Sequence, residues 1–156
     1  IRYIDFDGME QEGEMVVHKK IAKTACKVFY DLYQIKYPIA RMQLVDEYDA
    51  DDEASMAANN TSAFNYRKVA NSSKMSKHSQ GLAIDINPRI NPYITKYGIA
   101  PANSKVYRNR DAATCRGKYR DHMIHRGDEV YRIFKKYGFS WGGDWKYSKD
   151  YQHFER

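Results

Sequence analysis

Between residues 19 and 36 apolar residues recur at helical spacing. Ile21, Ala25, Val28, Phe29 and Leu32 share one face, and Pro38 lies just past the end. That period predicts an amphipathic helix whose stripe faces a core. Residues 128 to 137 repeat the pattern with Val130, Ile133, Phe134 and Tyr137, and Gly138 supplies a stop. Elsewhere the period shortens. Leu82 to Asn87 alternates apolar with polar or small residues, as a half-buried strand does, with Leu82, Ile84 and Ile86 inward and Ala83, Asp85 and Asn87 opposite. Arg41 to Glu47 reads as a strand. Phe139 to Trp145 and Tyr151 to Glu155 read as strands or extended segments around a Gly-Gly turn.

The remaining segments are loop-like. Residues 48 to 63 are polar, acidic and Asn-rich, which predicts a surface loop with room for one helical turn. Asp49, Asp51, Asp52 and Glu53 lack the EF-hand pattern and read as a solvated acidic loop. Phe64 to Arg67 reads as a short extended segment. Residues 88 to 120 hold three of the four prolines and form a long excursion, of the kind that shapes a binding cleft. No repeat, low-complexity tract or linker divides the chain. The expectation is one small α+β domain over residues 1–156, with helices packed on an antiparallel sheet.

Charge adds little to this frame. The 156 residues carry a formal net charge of +6 and a pI near 9.2. The basic residues are spread along the chain, and no helix-turn-helix, zinc-finger or RNA-binding signature accompanies them. An ordinary basic surface is therefore expected, with no nucleic-acid partner. An anionic environment also suits the charge. There is no apolar run long enough for a transmembrane segment and no signal peptide, and the sequence begins at Ile1, as a processed or trimmed chain does. Cys26 and Cys115 match no thiolate metal spacing. Cys26 reads as a core residue of the first helix, and a disulfide between the two is left open.

Two short runs carry candidate chemistry. The first is Ser76-Lys77-His78-Ser79-Gln80-Gly81-Leu82-Ala83-Ile84-Asp85-Ile86-Asn87; the second is Asp150-Tyr151-Gln152-His153-Phe154-Glu155. Together they offer His78, Asp85 and His153 as ligands of one catalytic Zn²⁺, with Asp150 as a spare carboxylate. Three protein ligands, an open position and a nearby base are the requirements of zinc-assisted hydrolysis. Asp85 would be presented from a strand, and Gly81 would permit a tight turn after His78. His153 and Phe154 would point to opposite sides, one to the cleft and one to the core.

The chain resembles the D-alanyl-D-alanine carboxypeptidase family of zinc peptidases (the M15 class), which share a Ser-x-His-x-x-Gly-x-Ala-x-Asp run and a later Asp/Glu-x-x-His run. Asn60-Thr61-Ser62-Ala63-Phe64-Asn65-Tyr66-Arg67 and Gly138-Phe139-Ser140-Trp141-Gly142-Gly143-Asp144-Trp145 also look like one branch of it. The resemblance runs from about residue 15 to 156. It implies His78, Asp85 and His153 as zinc ligands, Asp150 as general base and Arg67 as the stabiliser of the oxyanion. Ser76 and Tyr66 are candidate substrate contacts, with a turn hydroxyl and a packed aromatic as the plainer alternatives. Trp141 and Trp145 are weaker candidates. His122 and His125 read as surface residues.

The resemblance implies hydrolysis of peptidoglycan peptides, with D-alanyl-D-alanine carboxypeptidase first and L-alanyl-D-glutamate endopeptidase second. It also implies an extracytoplasmic or cell-envelope location. A non-catalytic zinc-stabilised binding module is the alternative from another class, and retention of both Asp150 and Arg67 speaks against it. The sequence holds no His-Glu-x-x-His helix and no Gly-x-Ser-x-Gly elbow.

Overall fold

In the computed structural model, which describes residues 1–69 and 73–156, the chain opens with an antiparallel hairpin, β1 (Arg2–Ile4) and β2 (Glu10–Glu12). Helix α1 (Lys19–Gln34) follows. His18 caps it, its ring accepting from the Lys20 amide at 3.1 Å. All five residues of the predicted stripe are buried. Cys26 is exposed, which corrects the expectation of a core cysteine, because it sits one step past Ala25 and off the stripe. Cys115 is buried elsewhere, and both thiols are free.

Arg41 to Glu47 does not form the expected strand. Its backbone bonds instead to a side chain: the Gln43 amide donates to Asn60 Oδ1 at 2.8 Å, and Asn60 Nδ2 donates to the Gln43 carbonyl at 3.0 Å. A 3₁₀ turn at Val45–Tyr48 then ends the segment. Burial here falls at Met42 and Val45, three residues apart and off the strand period, and no neighbouring strand extends the pairing beyond a bridge from Arg41 to Asn60. The acidic loop contains α2 (Asp52–Ala57), capped by the Asp51 carboxylate on the Ala54 amide.

The strands that follow are β3 (Ala83–Asp85), β4 (Tyr93–Thr95) and β5 (Gly98–Ala100). After α3 (Glu129–Lys136) come β6 (Ser140–Trp141), β7 (Lys149–Asp150) and β8 (His153–Glu155). They form two antiparallel sheets in the orders β3-β8-β6 and β5-β4-β7. The long excursion thus carries a hairpin whose β4 pairs with β7, Tyr93 opposite Asp150.

The core lies between the helices and the first sheet. α1 and α3 contribute Val28, Leu32, Val130 and Phe134, and the sheet contributes Ile84, Trp141 and Phe154. Phe134 stacks on Phe154 with ring centroids 3.8 Å apart and meets Phe139 edge-on at 5.4 Å. A smaller cluster of Ile90, Tyr107, Cys115 and Met123 closes the excursion on itself.

Phe134→Ala should therefore cost about 3–5 kcal/mol of unfolding free energy, the usual range for truncating a fully buried aromatic. Urea denaturation followed by tryptophan fluorescence measures it. A loss below about 1 kcal/mol would show that the Phe134–Phe154 stack does not hold the sheet to the helices.

Candidate metal centre and its cleft

Strand register puts two of the candidate ligands together. β3 and β8 pair with Asp85 opposite His153, Ile84 opposite Phe154 and Ala83 opposite Glu155. Cross-strand partners share a face. Ile84 and Phe154 therefore enter the core as a pair, while Asp85 and His153 face the other way as a pair. The third residue arrives from a 3₁₀ turn at Lys77–Gln80. The Ser76 hydroxyl caps that turn on the His78 amide at 3.2 Å, and Gly81 ends it in the left-handed region at φ +64°. A side chain at Gly81 would lie 2.6 Å from the His18 backbone nitrogen, so this position takes glycine for both reasons.

The donor atoms converge. His78 Nε2 lies 3.1 Å from Asp85 Oδ2 and 3.1 Å from His153 Nδ1, and His153 Nδ1 lies 3.1 Å from Asp85 Oδ1. Ligands bonded tetrahedrally at about 2.0–2.1 Å sit roughly 3.3 Å from one another, so these separations fit the edges of such a site. The far nitrogen of each ring is occupied. His78 Nδ1 is 2.6 Å from the Ala63 carbonyl, and His153 Nε2 is 3.3 Å from Glu155 Oε2. A carbonyl or carboxylate there takes an N–H, which leaves the opposite nitrogen lone pair aimed at the shared centre. All three donor residues are buried, and they are the group among the described residues that could hold a metal ion.

Electrostatics match that arrangement. Burial alone would raise the Asp85 carboxyl, but the His78 charge and hydrogen bonds from both rings outweigh it and hold Asp85 well below the carboxylate range. Burial would lower His153, yet its bonds to Asp85 and Glu155 win and push it up to about 10. Without metal the cluster therefore stores a proton on His153 that an incoming cation must displace.

These residues line a cleft of about 230 Å³ whose walls include Asp52, Arg67, Ser76, Trp145, Asp150 and Gln152. Asp150 Oδ1 is buried with no hydrogen-bond partner in the protein. Burial, aided by the nearby Asp85 charge, raises its carboxyl to about 7 against the pull of the two histidines. Close packing fixes it: a Cβ on Gly142 would lie 2.6 Å from the Asp150 carbonyl oxygen and 3.2 Å from His153 Cβ. Arg67 also reaches the cleft, where its Nε lies 2.9 Å from Asp52 Oδ1, with both side chains about seven-tenths buried (27% and 30% exposed). The Asn65 amide supports the same carboxylate oxygen at 3.2 Å.

The structure thus brings together His78, Asp85, His153, Asp150, Arg67 and Ser76. It does not bring Tyr66, which is 77% exposed and off the cleft wall. Trp141 is core, whereas Trp145 lies on the wall with its ring 5.4 Å from that of His153. His122 stacks near Phe6 and Tyr119, and His125 Nε2 meets the Arg110 carbonyl at 2.7 Å, so neither joins the cluster. Sequence reasoning missed three members. Asp52 belongs to the cleft rather than to a solvated loop. Glu155 orients His153, a role that its place two residues along the same strand made legible. The Ala63 carbonyl, as a backbone atom, left no signal.

The chain matches the family model described as D-alanyl-D-alanine carboxypeptidase over residues 70–156, more than half its length. The matched span contains all three donors, Asp150 and Glu155; Arg67 lies before it. No curated protein and no solved structure matches the chain.

Metal binding should release a proton near neutrality. Affinity for Zn²⁺ is expected to fall about tenfold per pH unit on acidification, as displacement of one proton requires. Calorimetry in buffers of different ionisation enthalpy reads the proton directly, and a pH-independent affinity would refute the stored proton on His153. Glu155→Gln should weaken the metal by about 10–100-fold, the usual effect of losing such a supporting carboxylate.

Proposed function

The chain belongs to the D-alanyl-D-alanine carboxypeptidase family of peptidases, and on that premise we propose that it is a zinc-dependent hydrolase of bacterial cell-wall peptides, with chains ending in D-alanyl-D-alanine as its preferred substrate. One observation carries the reading: three donors 3.1 Å apart share a cleft with a buried carboxylate oxygen that has no partner of its own. An orphaned buried acceptor costs about 1–3 kcal/mol, and a purely structural metal site gives no return for it.

Zinc held by His78, Asp85 and His153 would lower the pKa of water toward about 7 and polarise a peptide carbonyl. The remaining roles fall to side chains. Asp150, raised by burial to about 7, is suited to take a proton at Oδ1 and to return it to the leaving amine. Arg67, ion-paired with Asp52, places a guanidinium at the cleft wall, where the oxyanion gathers negative charge. The Ser76 hydroxyl oxygen accepts from the His78 amide, so Ser76 serves the substrate by placing His78. Glu155 and the Ala63 carbonyl keep both imidazoles in the ligating tautomer.

The size of the cleft supports a short peptide end. About 230 Å³ lies below the range of roughly 300–1,000 Å³ that holds drug-sized ligands. Lys77 is exposed on its wall, a cation suited to a carboxylate. The extracytoplasmic setting of such a substrate suits the basic surface, and no helix among the described residues is long and apolar enough to cross a membrane.

Asp150→Asn keeps the shape and removes the titratable group. It should retain zinc stoichiometry while hydrolysis falls about 10²–10⁴-fold, the typical share of general base catalysis. Activity within a few-fold of the unaltered protein would shift the role of base to Glu155.

Substrate class is tested by a panel: a pentapeptide ending in D-Ala-D-Ala, its L-Ala-L-Ala counterpart, an L-Ala-D-Glu fragment, and casein. Faster release from the first is expected. Preference for the third would make the protein an endopeptidase of the same wall, and equal cleavage of casein would refute the wall assignment.

A further inference from the structure

Just past the C-terminal end of α2 lies a second concavity, of about 530 Å³. Asp52 and Met56 of that helix face the cleft, whereas Ala58 and Asn59, just past its end, face the concavity. A helix of six residues rises about 9 Å at 1.5 Å per residue, so the two sites are near neighbours.

Arg41, Arg89, Arg116 and Lys118 all line this groove, and among the described residues none of the four forms an ion pair. Asp5 and Asp7 also face it, and Asp5 accepts from the Met9 and Asp7 amides and from Gln11. Four cations against two carboxylates leave positive charge in excess. The cations stand on ordered backbone. The Arg89 amide is held by Asn59 Oδ1 at 2.9 Å, and the Arg41 carbonyl accepts from Thr61 at 3.0 Å. Gly117, between Arg116 and Lys118, lies so close to Tyr107 that a Cβ would sit 2.2 Å from its ring, so the backbone carrying both cations packs directly on that buried side chain.

We propose that this groove binds the phosphodiester groups of an anionic cell-wall glycopolymer and so holds the enzyme on its substrate. The polymer's location rests on the cell-wall reading above; the charge argument does not. Guanidinium forks match phosphate oxygens in pairs, which makes three unpaired arginines a phosphate surface rather than a generic basic one. Nucleic acid fits less well, because it would seek an open aromatic face for its bases. Three aromatics line the groove and each is engaged: Tyr107 is buried, and Phe6 and Tyr119 pack on each other at 4.5 Å and against the His122 ring, with the Lys118 ammonium 4.9 Å from Tyr119.

The test uses purified poly(glycerol phosphate), titrated into the whole protein at several salt concentrations. Arg41→Ala, Arg89→Ala and Arg116→Ala combined should weaken binding about tenfold or more and flatten its salt dependence, as loss of phosphate contacts does. A control with equal charge loss on α1, Lys20→Ala, Lys23→Ala and Lys27→Ala, should change binding less than about twofold if contact rather than net charge decides. Both variants should keep the thermal transition and cleave a short soluble peptide as the unaltered protein does. Equal weakening by the control, no weakening by the arginine variant, or tighter binding of a single-stranded oligonucleotide with the same number of phosphates would overturn the proposal. Failure of peptide cleavage by the unaltered protein would instead strike the hydrolase reading and leave this measurement standing.

Discussion

Everything at the centre depends on the register of β3 against β8. Side chains alternate along a strand, so one pairing sends Ile84 and Phe154 to the core and Asp85 and His153 to the cleft together. A slip of one residue would exchange the two faces, burying a carboxylate and an imidazole among aromatic rings. The apolar pair is thus the enforcer of the polar pair. Phe154 lies flat on Phe134 of α3, which ties ligand placement to helix packing. Ser62 adds a second lock, exchanging both backbone hydrogen bonds with Asp85.

What period and spacing carry was legible in the sequence. The α1 stripe is buried as written, and Leu82 to Asn87 supplies a strand that presents Asp85. The two short runs meet in space although His78 and His153 are 75 residues apart, because the strands they adjoin are direct neighbours. What stayed hidden involves side chains standing in for backbone. Asn60 satisfies the Gln43 peptide and so replaces the strand expected at Arg41 to Glu47. Asn87, buried at φ +45°, uses its amide to hold Pro38 and Ala40 against the end of β3. Apolar residues in a sequence report burial, and they do not say what satisfies the peptide groups.

Asp52 was opaque for a related reason. An acidic run reads as a solvated face because carboxylates avoid burial without a partner. Its partner, Arg67, is fifteen positions away in a different segment, so the pairing exists only in three dimensions. The same holds for the groove, whose arginines come from three separate parts of the chain.

The two imidazoles are held in their tautomers by different kinds of acceptor, a main-chain carbonyl for His78 and a carboxylate side chain for His153. A peptide oxygen is present whatever residue is encoded at position 63, so no single codon change can delete it. Glu155 has no such protection. Inherited variation can therefore adjust the donor strength of one ligand while the other stays constant, and any evolutionary tuning of metal preference at this centre has position 155 as its dial.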